Sequence, residues 1–252
     1  MLLRSFLRTV FSLALMVTLS STTFAVDQIP PAFTATYQLN KFGLNAAEAK
    51  VSLEHDNYRA WTYKSHTITK GMISIFRDDE IIETATLKVD GIKVKPLNYD
   101  YKHHGSKKNR DRRIVFDWDN MQANSVVSGQ ASSIKVLANT IDSFSLQLQM
   151  MLDLSNTGLA DSYSILKKGK LEEYRFKQLP EEVISTAAGD FNAIKLLRER
   201  ENSKRKTIMW TAPELHHLPV KITHVEDDGT EFSLVLSDVS GLNKQQADSH
   251  SQ

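Results

Sequence analysis

VKITHVEDDGTEFSLVL, residues 220–236, decides the fold class of this 252-residue chain. Val220, Ile222 and His224 alternate before Asp228-Gly229, and Phe232, Leu234 and Leu236 alternate after it. A period of two places such residues on one face of a pleated strand, and glycine accepts the positive φ that a primed two-residue turn requires. The segment therefore reads as a β-hairpin. Asp90-Gly91, between Leu87/Val89 and Ile92/Val94, repeats the signal.

Outward from these hairpins, β-branched and aromatic residues alternate along most of the chain. The pattern predicts strands over 33–39, 46–54, 59–66, 81–89, 92–101, 113–118 and 124–127, and a second series over 161–167, 170–178, 182–186, 191–200 and 206–210. One segment departs from it. Ile141, Phe144, Leu148, Met151 and Leu152 fall at helical spacing with Thr140 or Asp142 available to cap, which predicts a helix over 141–154 with Gln149 on its polar side. The apolar run 72–76 after Gly71 is compatible with a buried strand or one helical turn. The expected fold is mainly β: a single, strongly curved antiparallel sheet or open barrel-like domain over residues 26–242, with one amphipathic helix packed on its concave face. Residues 243–252 (NKQQADSHSQ) form a polar tail.

The first 25 residues have the make-up of a secretory signal peptide. Arg4 and Arg8 precede the apolar stretch 10–19, and Thr23-Phe24-Ala25 supplies small residues for cleavage after Ala25. The stretch falls short of the roughly 20 residues that span a bilayer. The expected location is the periplasm, with no transmembrane segment in the mature chain. Cysteine is absent, which excludes disulfides, thiolate metal sites, cysteine nucleophiles and the lipid anchor of a bacterial lipoprotein. Without Arg4 and Arg8 the chain holds 29 basic and 30 acidic residues. No whole-molecule field then steers it toward nucleic acid, and any charge argument must be local.

Four further stretches carry a resemblance: FDWDN from Phe116, IDSFSLQLQMMLDL from Ile141, TAAGDFNAIKLLRERE from Thr186 and KRKTIMWTAPELHHLPVKITHVEDDGT from Lys204. Together with YQLNKFGLNAAEAKVSL from Tyr37 and KPLNYDY from Lys95, their order resembles the bacterial family called domain of unknown function 3108. The resemblance implies an exported, largely β envelope protein, and implies no reaction, cofactor or catalytic residue.

Few constellations carry chemistry. His103-His104 and His216-His217 are adjacent pairs whose side chains diverge on a strand, so no metal site is expected from them, and no cofactor. No G-x-S-x-G elbow occurs, Ser132 to Lys135 lies outside any predicted helix, and the acidic runs 78–80 and 226–228 fall at turns. The reading is of a protein that is not an enzyme. The sharpest charged feature is KHHGSKKNRDRR, residues 102–113, with six Lys or Arg against one Asp. Lys107, Lys108, Arg110, Arg112 and Arg113 are the candidate contacts for an anionic ligand, either lipid phosphate or acidic polysaccharide. Trp61, Phe116, Trp118 and Trp210, each in a predicted strand, would line a cavity if the concave face encloses one. The leading expectation is binding or escort of an envelope lipid or glycan, and the alternative is a scaffold for an envelope protein partner.

Overall fold

The computed structural model describes residues 29–56, 60–71, 74, 78–105, 109–199 and 203–242. The signal segment, the run 72–76 apart from Ser74, Lys107, Lys108 and the polar tail lie outside the described residues.

Eight strands form a meander: β1 (Phe33–Lys41), β2 (Leu44–His55), β3 (Trp61–Thr69), β4 (Glu80–Asp90), β5 (Lys93–His104), β6 (Arg110–Asp117), β7 (Gln122–Val127) and β8 (Gln130–Lys135). Five more follow late in the chain: β12 (Lys177–Thr186), β13 (Gly189–Glu199), β14 (Lys206–Ala212), β15 (Leu218–Val225) and β16 (Glu231–Ser240). Antiparallel pairing of β16 with β1 joins the two series into one 13-stranded sheet, in the order β12 to β16 and then β1 to β8. Its two edges, β8 and β12, do not pair with each other, so the sheet curves without closing. Among the described residues no helix is long and apolar enough to cross a membrane.

The chain between those edges fills the interior. β9 (Thr140–Asp142) pairs in parallel with β10 (Tyr163–Lys167), and β10 pairs antiparallel with β11 (Lys170–Tyr174), giving a small second sheet. Between β9 and β10 runs α1 (Ser145–Asn156). The helix starts four residues later than the periodicity predicts, because Thr140–Asp142 is held extended by its ladder to Ser164–Leu166. Asp142 still serves the helix start, accepting the backbone N–H of Phe144 (2.9 Å) and Ser145 (2.8 Å) and the Ser145 hydroxyl (2.6 Å).

Alternation places the core. Phe33, Ala35 and Tyr37 of β1, Ala49, Val51 and Leu53 of β2, Tyr63 of β3, and Ala85 and Leu87 of β4 are buried, with more exposed residues between them. Leu148, Met151 and Leu152 of α1 join this cluster, and the Phe144 ring stacks on Tyr63 at 4.4 Å between centroids. Leu146 and Met150 point the other way, into a second cluster with Ile141, Tyr163, Ile165 and Tyr174 and with Leu196 and Met209 from the large sheet. A helix held between two sheets is buried nearly all round. Gln149 is therefore only 5% exposed rather than on a wet face. Its Oε1 accepts from Val94 N at 2.8 Å, and its Nε2 donates to Ile92 O and Asp153 Oδ1, both at 2.8 Å. This amide fastens the helix to the β4–β5 turn.

Three local expectations shift. The β4–β5 loop is Gly91-Ile92, one residue beyond the expected pair, since Asp90 still pairs with Lys93. Gly91 takes φ 59°, as the first position of a II′ turn requires. The loop of the 220–236 hairpin is longer than two residues: Glu226 N bonds Thr230 O, Gly229 N bonds Glu226 O, and Gly229 sits at φ 82°. That is the three-residue turn-plus-bulge solution, with glycine at its left-handed position. Residues 170–178 form two strands in different sheets, broken at Arg175-Phe176, where the chain passes from β11 to β12.

Candidate functional site

In an antiparallel meander every second turn falls at the same end. One end of the large sheet thus carries the β1–β2, β3–β4, β5–β6, β7–β8, β13–β14 and β15–β16 connections. The β10–β11 turn reaches the same end from inside. A Cβ built on Gly169 would lie 3.2 Å from Ser132 Oγ on β8 and 3.8 Å from Ser125 Oγ on β7, so the turn packs closely on both strands, and its φ of 74° favours glycine.

That approach gathers positive charge from distant parts of the chain. Arg112 of β6 lines a small void together with Lys167 and Lys168 at the β10–β11 turn, and the charge of Arg110 at the start of β6 also acts on Lys168. The Arg112 guanidinium lies over the Tyr101 ring, 4.2 Å from its centroid, which fixes its direction. Lys168 has its amine pushed below the ordinary lysine value, first by desolvation and then by the charges of Arg112, Lys167 and Arg110. Glu172 on β11 opposes this shift. Lys168 also holds φ 50° ahead of Gly169 at 74°, the two left-handed positions of a I′ turn where Asn, Asp or Gly is preferred.

Beside it lies a cleft of about 370 Å³ lined by Lys167, Lys168, Tyr174, Arg198, Arg205 and Lys206, with Glu172, His224 and Glu226. Arg198 stacks on the Tyr174 ring at 3.3 Å, and Lys167 Nζ donates to Tyr174 Oη at 3.2 Å. Arg205 is neutralised by Glu226 and Asp227, both at 2.9 Å. The acidic run at 226–228 thus also orders its own hairpin, as Asp228 accepts the Thr230 amide at 2.8 Å.

The same end carries the most exposed large apolar side chain among the described residues. Phe42 is 75% exposed and Leu44 66%, on either side of Gly43 in the β1–β2 turn. Phe42 adopts φ 52°, an outlier for a bulky residue.

At the opposite end of α1 a cavity of about 290 Å³ is lined by Val94, Ala138, Ile141, Ala160 and Tyr163, with Lys93, Gln149 and Asp153 among its polar groups. Asp153 accepts from Gln149 and from Tyr163 Oη (2.9 Å), and burial raises its carboxyl above the usual range. Burial likewise raises Asp142, and raises Glu83, which accepts the Tyr99 hydroxyl at 2.6 Å.

The sequence-based candidates divide. Arg110 and Arg112 join the cationic cluster, while Arg113 turns to Asp100 at 3.8 Å. Phe116 and Trp118 stack on each other at 5.3 Å, and Trp118 Nε1 donates to Pro96 O. Trp61 contacts the His55 ring edge at 4.7 Å. Trp210 lies between the ammonium groups of Lys195 and Lys221 and donates to Glu182 at 3.0 Å. The 290 Å³ cavity is lined by other residues, drawn from β5, α1, β9, β10 and the segments that join them. Arg198 and Lys206 belong to the charged stretch 195–206, whose alternating signs read as cross-strand pairing on a wet face, and Lys167 and Lys168 lie outside every sequence-based candidate. The KKGK run at 167–170 was the available signal, a glycine turn between two apolar runs flanked by lysines. His103 pairs with Asp79 at 3.3 Å, and His217 is half-buried in a left-handed conformation after the Pro213–Leu215 helical turn.

By architecture this is an open, β-barrel-like protein whose gap is filled by a helix and a small sheet. The fold is similar to that of the beta-barrel-like protein of domain of unknown function 1849 from Brucella abortus. The TM-score is 0.57 at 7% identity, over 83% of this chain and 97% of that one. A candidate lipoprotein from Parabacteroides distasonis (TM-score 0.33, 9% identity, 84% and 98% coverage) and a candidate exported protein with a YmcC-like fold from Bacteroides fragilis (0.35, 12%, 84% and 98%) align less closely. No curated protein matches the sequence. Residues 32–237 match the family described as protein of unknown function (DUF3108), and the chain belongs to that family.

Proposed function

We propose that this is a non-enzymatic exported protein that binds or escorts an anionic, lipid-like component of the bacterial envelope at the turn-bearing end of its sheet. One observation carries the reading: that end combines cations from β6 and the β10–β11 turn with the exposed apolar tip Phe42/Leu44. Like-charged side chains held together repel, Glu83 and Glu172 offset only part of that charge, and an exposed Phe at a strained position has no role in the core. The apolar tip favours a lipid over an acidic glycan. Export rests on Arg4, Arg8 and the apolar stretch 10–19, and the mature N-terminus is expected at Val26. Envelope material retained by the purified protein is read by native mass spectrometry, comparing wild type with a variant carrying Arg110, Arg112, Lys167 and Lys168 all changed to Gln. The expected result is a phosphate-bearing lipid on the wild type that is depleted on the variant; an acidic glycan in its place would reassign the ligand. A scaffold role is the second reading, favoured by the unpaired β12 edge with Val183 66% exposed, and capture of a protein rather than a lipid would support it.

A further inference from the structure

Ser125 lies on β7 with only 1% of its surface exposed, and its hydroxyl has no hydrogen-bond partner among the described residues. A buried hydroxyl left unpaired costs about 1–3 kcal/mol, so its neighbourhood indicates what completes it. Ser125 lines a void of about 10 Å³, room for a single oxygen-sized atom, walled by Tyr99, Arg112, Ser143, Lys167 and Lys168 and by the apolar side chains of Ile114, Val127 and Leu166. Three cationic residues and an unused hydroxyl therefore border one atom-sized space, Lys167 Nζ also donating to Tyr174 Oη and the Arg112 guanidinium resting on Tyr101. On the inner side, the Tyr99 hydroxyl already donates to Glu83, and the Asp142 carboxylate is filled by its bonds to the helix start. Outside the void Lys168 is exposed, so a larger group can sit in the mouth with one atom inside.

We infer that this void is an oxyanion seat. One terminal oxygen of a phosphate monoester accepts the Ser125 hydroxyl, and the remaining oxygens lie under Arg112, Lys167 and Lys168. The inference rests on the proposed anionic ligand and narrows it to a phosphomonoester dianion. A dianion with three terminal oxygens matches the three cations better than a carboxylate, with one charge and two oxygens. The left-handed Lys168 fits this role, because a lysine in a turn position that prefers Asn gives up stability to place its amine at the mouth.

The test is a titration of the mature protein with inorganic phosphate at low salt and pH 8, followed by NMR of the backbone amides of β7 and the β10–β11 turn. Saturable binding is expected in the wild type, with affinity reduced roughly tenfold or more by Ser125→Ala. Lys168→Asn separates a site from a structural role: it should raise the melting temperature by suiting the I′ turn, yet weaken phosphate binding, and Lys168→Arg should keep binding. A short-chain phosphatidic acid binding more tightly than inorganic phosphate would identify a lipid headgroup as the source, and equal affinities would identify the free phosphate group. Unsaturable binding in the wild type, or equal affinities for wild type and Ser125→Ala, overturns the seat and leaves the void to a water. If the four-residue Gln variant still loses its lipid in that case, the broader reading survives while the seat does not.

Discussion

Gln149→Glu is a near-isosteric change that isolates the latch between α1 and the β4–β5 turn. The wild-type amide makes three bonds of 2.8 Å, accepting from Val94 N and donating to Ile92 O and Asp153 Oδ1. A glutamate keeps the first and loses both others, and at neutral pH it sets a second carboxylate against Asp153. With about 1–3 kcal/mol for each buried polar group left unmet, plus like-charge repulsion, the expected cost is roughly 3–5 kcal/mol. That is a large share of a typical domain's stability of about 5–15 kcal/mol. The sign of its pH dependence is fixed. Burial and the new neighbour raise both carboxyls in the folded state, so the stability they allow is present below the unfolded carboxyl range near pH 4 and is lost as pH rises through the folded value. In urea unfolding the gap between variant and wild type should be narrower at pH 5 than at pH 8, where a shared proton no longer replaces the missing donor. Gln147→Ala on the same helix, one of the less buried positions of α1, should cost no more than about 0.5 kcal/mol. A Gln149→Glu gap as small as that of Gln147→Ala, or one unchanged between the two pH values, would refute the latch.

Burial holds His217 down to about 4, with the neighbouring His216 adding to the shift. Folding therefore excludes a proton there: stability is full above about pH 6.5 and falls as pH drops toward 4. His217→Gln should flatten that limb of a melting-temperature profile, and superimposable profiles would show that the residue is not responsible. Gly241, at φ 86°, leaves no room for a side chain: a Cβ would collide with the Ala32 carbonyl and come within 2.9 Å of Phe33 Cα at the β16–β1 seam. Gly241→Ala should destabilise by more than about 1 kcal/mol in urea unfolding, whereas Gly129→Ala, where the Cβ meets open space, should cost less despite its own positive φ.

Strand content was legible because alternation is local: each of Phe33, Ala35 and Tyr37, or Ala49, Val51 and Leu53, announces its face without reference to any partner. The helix was legible from Leu148, Met151 and Leu152 for the same reason. Its true start was not, since the extended state of Thr140–Asp142 comes from a parallel ladder to residues 164–166. Gln149 misled because a glutamine at a polar helical position reads as wet. Its burial depends on two backbone groups 55 and 57 residues away. The basic run at 102–113 was visible as composition, and so was KKGK at 167–170, but that the two meet depends on the fold and no local pattern carries it.

Retention on vesicles tests the central claim most directly. Wild-type protein at low salt should sediment with vesicles containing an anionic phospholipid and not with phosphatidylcholine alone. Retention should weaken toward physiological salt, as exposed charges become screened beyond about 8–10 Å. Exchange of Arg110, Arg112, Lys167 and Lys168 for Gln should abolish it without lowering the melting temperature. Wild-type protein that stays in the supernatant with anionic vesicles at low salt would contradict the account.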